Sequence, residues 1–301
     1  MNSPSPRSRA YRLGREEDVE KGIRRIARGR VDDALERLEA ARTDDFATGV
    51  HEARKNLKKL RSLLRLVRKG LGEAGYREAS SQFREAARSL SGARDAEVKL
   101  QTLTALEERF PGELPDATLD PLRAALEAER PGNASAADLL ALERAEQKIR
   151  SGRAGIARWQ IDGGPKLISK GVERSYRRGR KMLAKVREDP TDHNVHEWRK
   201  RVKDLWYELR IVEESEPEVV KVQADLAHDV STLIGDHHDL AILAEDVAAR
   251  PEGLGGREER DALIARIDKR QSELVEEAIG LGKKLYAKKP KKFLRRIGLR
   301  D

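Results

Sequence analysis

The stretch of sequence that decides the fold is VHEARKNLKKLRSLLRLV, residues 50–67. A second copy, VHEWRKRVKDLWYELRIV, occupies residues 195–212 without a gap, so that His196 follows His51 by 145 residues. The two copies are identical at the Val, His, Glu, Arg, both Lys, both Leu, Arg and final Val positions. Such internal similarity indicates duplication of one structural unit. The chain is therefore predicted to contain two related halves.

Both copies have the periodicity of an amphipathic α-helix, which advances by about 100° per residue. The apolar sector holds Ala53, Leu57, Leu60, Leu64 and Val67 in the first copy and Trp198, Val202, Leu205, Leu209 and Val212 in the second. The opposite sectors, which we call the basic stripes, hold His51, Arg54, Lys55, Lys58 and Arg65, and His196, Arg199, Lys200, Lys203 and Arg210. We predict that the apolar sectors pack and that the basic stripes face a ligand.

The rest of the chain is also predicted to be helical. Of its 301 residues, 38% are charged and only 4% are aromatic, which is typical of long amphipathic helices. Prolines and glycines divide the periodic segments, giving four helices per half, one of them over residues 76–109, and the loop that follows can hold an additional short helix around residues 122–130. The predicted fold is all-α, with two four-helix bundles. We assign residues 1–15 to a flexible tail, 16–154 to the first bundle, 155–165 to a linker and 166–301 to the second bundle with a basic C-terminal tail.

Composition excludes several classes of function. The absence of Cys excludes disulfides, thiolate metal sites and a cysteine nucleophile. No phosphate-binding glycine loop occurs in a suitable context, so nucleotide hydrolysis of the P-loop type is not supported. No apolar run is long enough to span a membrane, and the polar N-terminal segment does not resemble a secretory signal, which predicts a cytoplasmic protein. The net charge of +9 favours polyanionic partners.

The basic stripe of the first copy is unusually poor in counter-charge. Solvated helix faces usually mix Glu with Lys, yet no acidic residue occurs from Arg54 to Lys69. The two copies keep the same cations here and differ on other faces, as Lys59 and the aligned Asp204 illustrate. Cations repeated along a helix suit a linear polyanion, and arginine adds forked donors for phosphate oxygens. Arg24 and Arg28, and Arg174 and Arg177, are predicted to extend the walls of this site.

The paired VHE-x-RK-x-(L/V)-K motifs resemble those of the CHAD family, the conserved histidine α-helical domain, over about residues 16–300. The resemblance implies that both halves form one CHAD domain with pseudo-two-fold symmetry. It also implies a basic central channel that binds inorganic polyphosphate without catalysis, and in some members location at polyphosphate granules. The basic-stripe residues match the family motif, and Arg94 and His238 are similar to its later basic positions. Many relatives carry an additional triphosphate-tunnel domain with an ExExK strand, which this chain lacks.

Two other functions are weighed against polyphosphate binding. Six histidines, among them His193, His228 and His237, suggest a metal-dependent phosphohydrolase of the all-helical HD type. We do not favour it, because the first half lacks these three histidines and because cations beside His51 and His196 oppose metal binding. No metal, cofactor or catalytic residue is therefore assigned.

Nucleic acid is the main alternative ligand, because its phosphate backbone binds cations in the same salt-dependent way. Single-strand binders usually place exposed aromatic rings among the cations. Here only Tyr207 shares a basic stripe, and the first copy has no aromatic residue. A double-strand binder stays open at this point, as do the oligomeric state and the length of polyphosphate preferred.

Overall fold

The computed structural model describes residues 9–43, 45–90, 95–129, 134–250 and 254–299. These residues form helices and connections without a β-strand, which confirms the all-α prediction. In the first half the helices are α1 (Val19–Thr43), α2 (Phe46–Leu66), α3 (Arg68–Ser89), α4 (Asp95–Arg109), α5 (Asp116–Ala128) and α6 (Ala136–Ile156). In the second half they are α7 (Gly164–Glu188), α8 (Asp192–Ile211), α9 (Pro217–Ala249), α10 (Arg257–Leu285) and α11 (Pro290–Arg296).

The first half is divided into more helices than the four that the sequence predicts. Where one helix was expected over residues 76–109, the structure has α3 ending at Ser89 and α4 beginning at Asp95. Gly72 adds a kink inside α3, because its φ of 69° is outside the helical range. Pro115 precedes α5 as its N-cap, and proline close to a helix start removes no intrahelical hydrogen bond. The pseudo-two-fold relation between the halves stays a prediction.

The largest hydrophobic core joins the two halves. It includes Ile23 and Leu57 from the first half together with Val172 and Trp198 from the second, all fully buried. The predicted linker contributes to it through Trp159 and Ile161, which are 7% and 5% exposed. Because burial of large apolar side chains on both sides stabilises a shared interior, the halves form one folded unit.

A second core lies between α4 and α5 of the first half and α9 and α10 of the second. Leu103 and Leu122 pack there with Leu243 and Leu263, and all four are fully buried. The first half therefore shares its interior with the second half, as expected if both halves form one domain; the predicted boundaries of the two bundles stay a prediction. The short apolar faces of α4 and α5 are buried against α9 and α10, which are distant in sequence.

The predicted tail over residues 1–15 is also corrected for its described part. The Tyr11 hydroxyl donates to the Lys59 carbonyl at 3.1 Å, and the Leu13 amide donates to the Ile211 carbonyl at 2.8 Å. Arg9 forms ion pairs with Asp33 and Glu36 of α1. These contacts fix residues 9–13 against α1, α2 and α8.

The predicted basic C-terminal tail is helical at α11. Phe293 stacks on Tyr176 of α7 with ring centroids 3.9 Å apart, and Leu294 and Ile297 are buried. The apolar residues within the cationic run therefore attach it to the core, which the charge pattern alone does not indicate. None of the helices that the structure describes combines the length and apolarity required to cross a bilayer.

Candidate binding site between α2 and α8

The two basic stripes are positioned by helices whose starts and apolar faces are well defined. Asp45 caps α2 by accepting from the Thr48 amide at 3.1 Å, and Thr191 caps α8 by accepting from the Asn194 amide at 3.4 Å. The predicted apolar faces are confirmed, since all ten of their side chains are buried. Their burial turns the opposite face of each helix away from the core.

α2 and α8 contact each other beside the basic stripes. Arg65 of α2 forms an ion pair with Asp204 of α8, and the Ser62 hydroxyl donates to the Asp204 carbonyl at 3.4 Å. A cavity of about 480 Å³ lies along this contact. It is lined by Lys58, Arg61, Arg65, His196, Arg199, Lys200, Arg201, Lys203, Asp204 and Tyr207. Both stripes therefore contribute cations to one cavity.

A second cavity, of about 550 Å³, lies between these helices and the second core. Its polar lining includes His51, Arg54, Lys58, Gln101, Thr102, Arg199, Asp236, His238, Asp239 and Arg270, from α2, α4, α8, α9 and α10. Lys58 and Arg199 line both cavities, so the two spaces adjoin at these side chains. Together we call them the basic cavity.

Lysine and arginine outnumber the carboxylates among the lining residues of the basic cavity. Burial, followed by the charges of Arg199 and Lys58, lowers the pKa of Lys203 to about 7. The pKa of Lys58 is also lowered, by partial desolvation of its ammonium group and by the neighbouring Arg54 and Arg199, although the residue is exposed at the mouth of the cavity and Asp239 opposes the shift. Over the described ranges, neither lysine has a carboxylate within ion-pair distance. An anion in this space would therefore relieve repulsion as well as replace lost hydration.

Two histidines meet at one side of the basic cavity. The rings of His196 and His238 have centroids 4.7 Å apart. Burial lowers the pKa of both, and the adjacent cations Lys200 and Arg199 lower them further. Nδ1 of His196 is buried and has no hydrogen-bond partner within the described chain. This nitrogen is a polar atom that a ligand or water would satisfy.

The histidines that suggested a metal centre have other surroundings. His228 packs edge-on against Trp206 at 4.6 Å, His237 is buried 3.5 Å from Asp192, and His193 is exposed. Within the ranges that the structure describes, no group of three or more His, Cys, Asp or Glu side chains is arranged to hold a metal ion.

Most of the other predicted site residues, apart from Lys200, lie outside both cavities. Arg24 donates to the Trp159 carbonyl, and Arg174 donates to the Arg65 carbonyl. Arg177 forms an ion pair with Glu173, and Arg210 forms one with Glu213. Arg28 is exposed. Lys55 pairs with Glu52 at 3.2 Å and is close enough to Lys203 to lower its pKa. Lys200 lines the cavity and also pairs with Glu197. The prediction for Arg94 lies outside the described residues.

Several lining residues were missed in the sequence. Asp204, expected on another face, lies in the cavity and compensates Arg65. Arg61 is part of the acid-free run of α2, so that run was a signal for it. Asp239 and Arg270 enter from α9 and α10. Asp239 follows the predicted His238 in a loosely repeated segment, which was a signal for it, whereas no pattern near the repeated motif indicates Arg270. Burial raises the pKa of Asp239, although Arg199 and other cations oppose that rise.

Comparison with known proteins places this architecture in a family. The sequence profile of the CHAD domain matches residues 25–248. The crystal structure of the CHAD domain from the plant Ricinus communis has a similar fold, with a TM-score of 0.64 and 15% sequence identity; the alignment covers 98% of this chain and 96% of that chain. A search among curated proteins found no match. The profile match covers well over half of the chain, which therefore belongs to the CHAD domain family.

Proposed function

We propose that this protein binds inorganic polyphosphate in the basic cavity and leaves its bonds intact. The observation that carries the proposal is the pair Lys58 and Lys203, which line one cavity with Arg199 and have no carboxylate within ion-pair distance in the described chain. The charge of Asp239 offsets only part of their repulsion. Gathering like charges in a confined space destabilises the free protein. A bound anion would offset this repulsion, which explains why the protein keeps these cations together.

The shape of the cationic lining favours a linear polyanion over a single phosphate. Cations that line the cavity occur on α2 from Arg54 to Arg65, with His51 one turn earlier, a span of about 21 Å at 1.5 Å per residue. Lysines supply mobile charge along it, and arginines supply paired donors for phosphate oxygens. A chain of linked phosphates meets successive cations along this length.

The lining offers little for nucleic-acid bases. Tyr207 is the aromatic side chain among the lining residues, and it is 4% exposed and stacked on Trp206 at 4.7 Å. Single-strand binding proteins gain much of their affinity from exposed rings that stack with bases. Phosphate without bases therefore matches the lining better than RNA or single-stranded DNA does. In the cell, we expect the same binding to retain the protein at cytoplasmic polyphosphate granules.

The proposal is tested by removing the same amount of positive charge either from the basic cavity or from exposed positions elsewhere. The site variant carries Lys58→Gln, Arg199→Gln and Lys203→Gln. The control variant carries Arg37→Gln, Arg144→Gln and Arg257→Gln, three exposed cations elsewhere. We expect the site variant alone to lose at least tenfold in affinity for long-chain polyphosphate and to show a weaker salt dependence. Equal affinity in both variants, or release of orthophosphate in the presence of Mg²⁺, would contradict the proposal.

A further inference from the structure

A second concentration of positive charge lies on the outside of the molecule, at α7 and at the end of α10 with α11. Residues 283–296 contain eight cations and no acidic residue, and all eight are exposed. They are Lys283, Lys284, Lys288, Lys289, Lys291, Lys292, Arg295 and Arg296. This segment follows the region that matches the CHAD profile, which ends at residue 248.

The C-terminal cations are held on a rigid support. Tyr176 of α7 stacks on Phe293, and its hydroxyl donates to the Lys288 carbonyl at 2.8 Å. Gly179 of α7 packs so closely against Tyr286 that a Cβ there would lie 2.0 Å from the Tyr286 hydroxyl. The cations are therefore presented by an ordered surface attached to α7.

α7 carries a separate row of cations on the side of the helix away from the contacts of Tyr176 and Gly179 with α10 and α11. Arg174, Arg178, Lys181 and Lys185 are spaced by four, three and four residues, which places them in one stripe along the helix. Arg178, Lys181 and Lys185 are exposed, and the described chain offers none of them a carboxylate within ion-pair distance. We call this stripe and the eight C-terminal cations the exterior basic surface.

The α7 stripe begins beside the basic cavity. Nη2 of Arg174 donates to the Arg65 carbonyl at 2.6 Å, and Arg65 lines the cavity. Arg178 follows Arg174 by four residues on α7, which places the two side chains on the same face of the helix one turn apart. Positive charge therefore continues from Arg65 through Arg174 and Arg178 to the outside of the molecule.

We propose that the exterior basic surface binds the part of a long polyphosphate chain that extends out of the basic cavity. The proposal rests on polyphosphate binding in the cavity and adds a second contact region for the same chain. It explains why the α7 stripe adjoins the cavity and why its cations are unpaired within the described structure. Linking two contact regions through one ligand raises affinity without strengthening either region.

The surface lacks features that a base-binding or membrane-inserting surface would have. Its aromatic residues Tyr176, Tyr286 and Phe293 are at most 3% exposed. Along the described chain, the exposed large hydrophobic residues are Leu139, Leu140 and Val222, which lie on α6 and α9. Bases would therefore find no ring on which to stack, and acyl chains would find no apolar side chain to contact. Charge is the property that this surface presents.

The test compares short and long polyphosphates on the full chain. The exterior variant carries Lys181→Gln, Lys185→Gln, Lys291→Gln and Lys292→Gln. The control variant carries Arg37→Gln, Arg144→Gln, Arg150→Gln and Arg257→Gln, which removes the same charge from exposed positions elsewhere. Arg150 and Arg257 each form an ion pair in their own helix, and because both arginines are exposed, the loss of these pairs should cost little stability. Each protein is titrated with tetrapolyphosphate and with a series of polyphosphates of increasing length, at several salt concentrations.

We expect the exterior variant to bind tetrapolyphosphate as the control does and to bind long chains at least fivefold more weakly. Its salt slope for long chains should fall by up to about 3, because each phosphate contact of a single-stranded polyanion contributes about 0.7. Unchanged long-chain affinity would overturn the exterior contact while leaving cavity binding in place. Loss of binding to duplex DNA or to anionic vesicles, with long-chain polyphosphate unaffected, would also overturn it. If wild-type protein binds neither short nor long polyphosphate, the cavity proposal itself fails.

Discussion

Lys58 of α2 and Lys203 of α8 line the same cavity, and the charge of Lys58 is one of the causes that lower the pKa of Lys203 to about 7. The two residues occupy the same position in the two copies of the repeated motif, since Lys203 follows Lys58 by 145 residues. Packing of α2 against α8 therefore brings duplicated cations together. The free protein holds this charge at a cost that a bound anion would remove.

Polyphosphate affinity should fall as the pH rises through neutrality. A bound polyanion favours the ammonium form of Lys203, so above its free pKa of about 7 binding must take up a proton. Below that value the proton is already present. His196 and His238, whose pKa values are lowered by burial, should add to affinity at still lower pH. We expect Lys203→Arg to weaken the dependence between about pH 7 and pH 9, because arginine stays charged.

The measurement is a binding titration at fixed ionic strength across that pH range. Lys221→Arg, at an exposed position of α9, is the matched control and should keep the wild-type dependence. An affinity that does not change with pH in the wild type would show that Lys203 does not contact the ligand.

Replacing Lys203 by Met should stabilise the ligand-free protein at neutral pH. Its pKa is lowered on folding, so the unfolded chain binds more protons than the folded one between about pH 7 and pH 10, and stability rises with pH over that window. Lys203→Met removes this cost at neutral pH, and its advantage should shrink towards pH 10. We expect a thermal midpoint higher by at least about 2 °C, since 1 kcal/mol corresponds to roughly 2–4 °C in a domain of comparable size. A lower midpoint at pH 7 would contradict the account.

Gly235→Ala should weaken ligand binding without weakening the fold. A Cβ at Gly235 would lie 2.9 Å from Nη2 of Arg199, so the guanidinium must move within the cavity. In the middle of a helix, alanine is otherwise more favourable than glycine by roughly 1 kcal/mol. We expect at least a threefold loss of polyphosphate affinity with an unchanged or higher midpoint of denaturation. Gly280→Ala, where a Cβ meets no atom within 4 Å, should leave affinity unchanged.

Glu208 should make the fold less stable as the pH rises. It is fully buried, and burial together with nearby Asp204 raises its pKa to about 8 from the ordinary 4.5. The folded state therefore keeps a proton that the unfolded chain loses, and stability falls between about pH 4.5 and pH 8. Glu208→Gln should remove this loss, because an amide does not ionise in this pH range, and the fold should be kept because the amide oxygen still accepts from the Ser175 hydroxyl. Denaturant unfolding at pH 5 and pH 8 measures the effect, with the exposed Glu277→Gln as control.

Much of the fold follows from local sequence patterns. The repeated motif identifies α2 and α8, and the spacing of apolar residues correctly separates their buried faces from their cationic faces. Helix caps such as Asp45 are local in the same sense. These features depend on residues within a few turns of one another, so periodicity is sufficient to predict them.

The rest depends on contacts between distant segments. Leu122 of α5 packs with Leu263 of α10, and Tyr11 reaches the Lys59 carbonyl, yet neither contact leaves a periodic signal. The same is true of the cavity: Asp204 and Arg270 line it because of how helices pack, not because of the motif. Conversely, Arg24 and Arg174 look like binding cations in the sequence and instead donate to backbone carbonyls.

The most direct test of the central claim is a competition experiment on the wild-type protein with labelled long-chain polyphosphate. Unlabelled polyphosphate, duplex DNA and RNA are added at matched phosphate concentrations and fixed salt, since polyanion affinities have meaning only at stated salt. We predict that polyphosphate displaces the label at least tenfold more effectively than either nucleic acid. Displacement by DNA or RNA at a lower phosphate concentration than by polyphosphate would contradict the assignment of the basic cavity to polyphosphate.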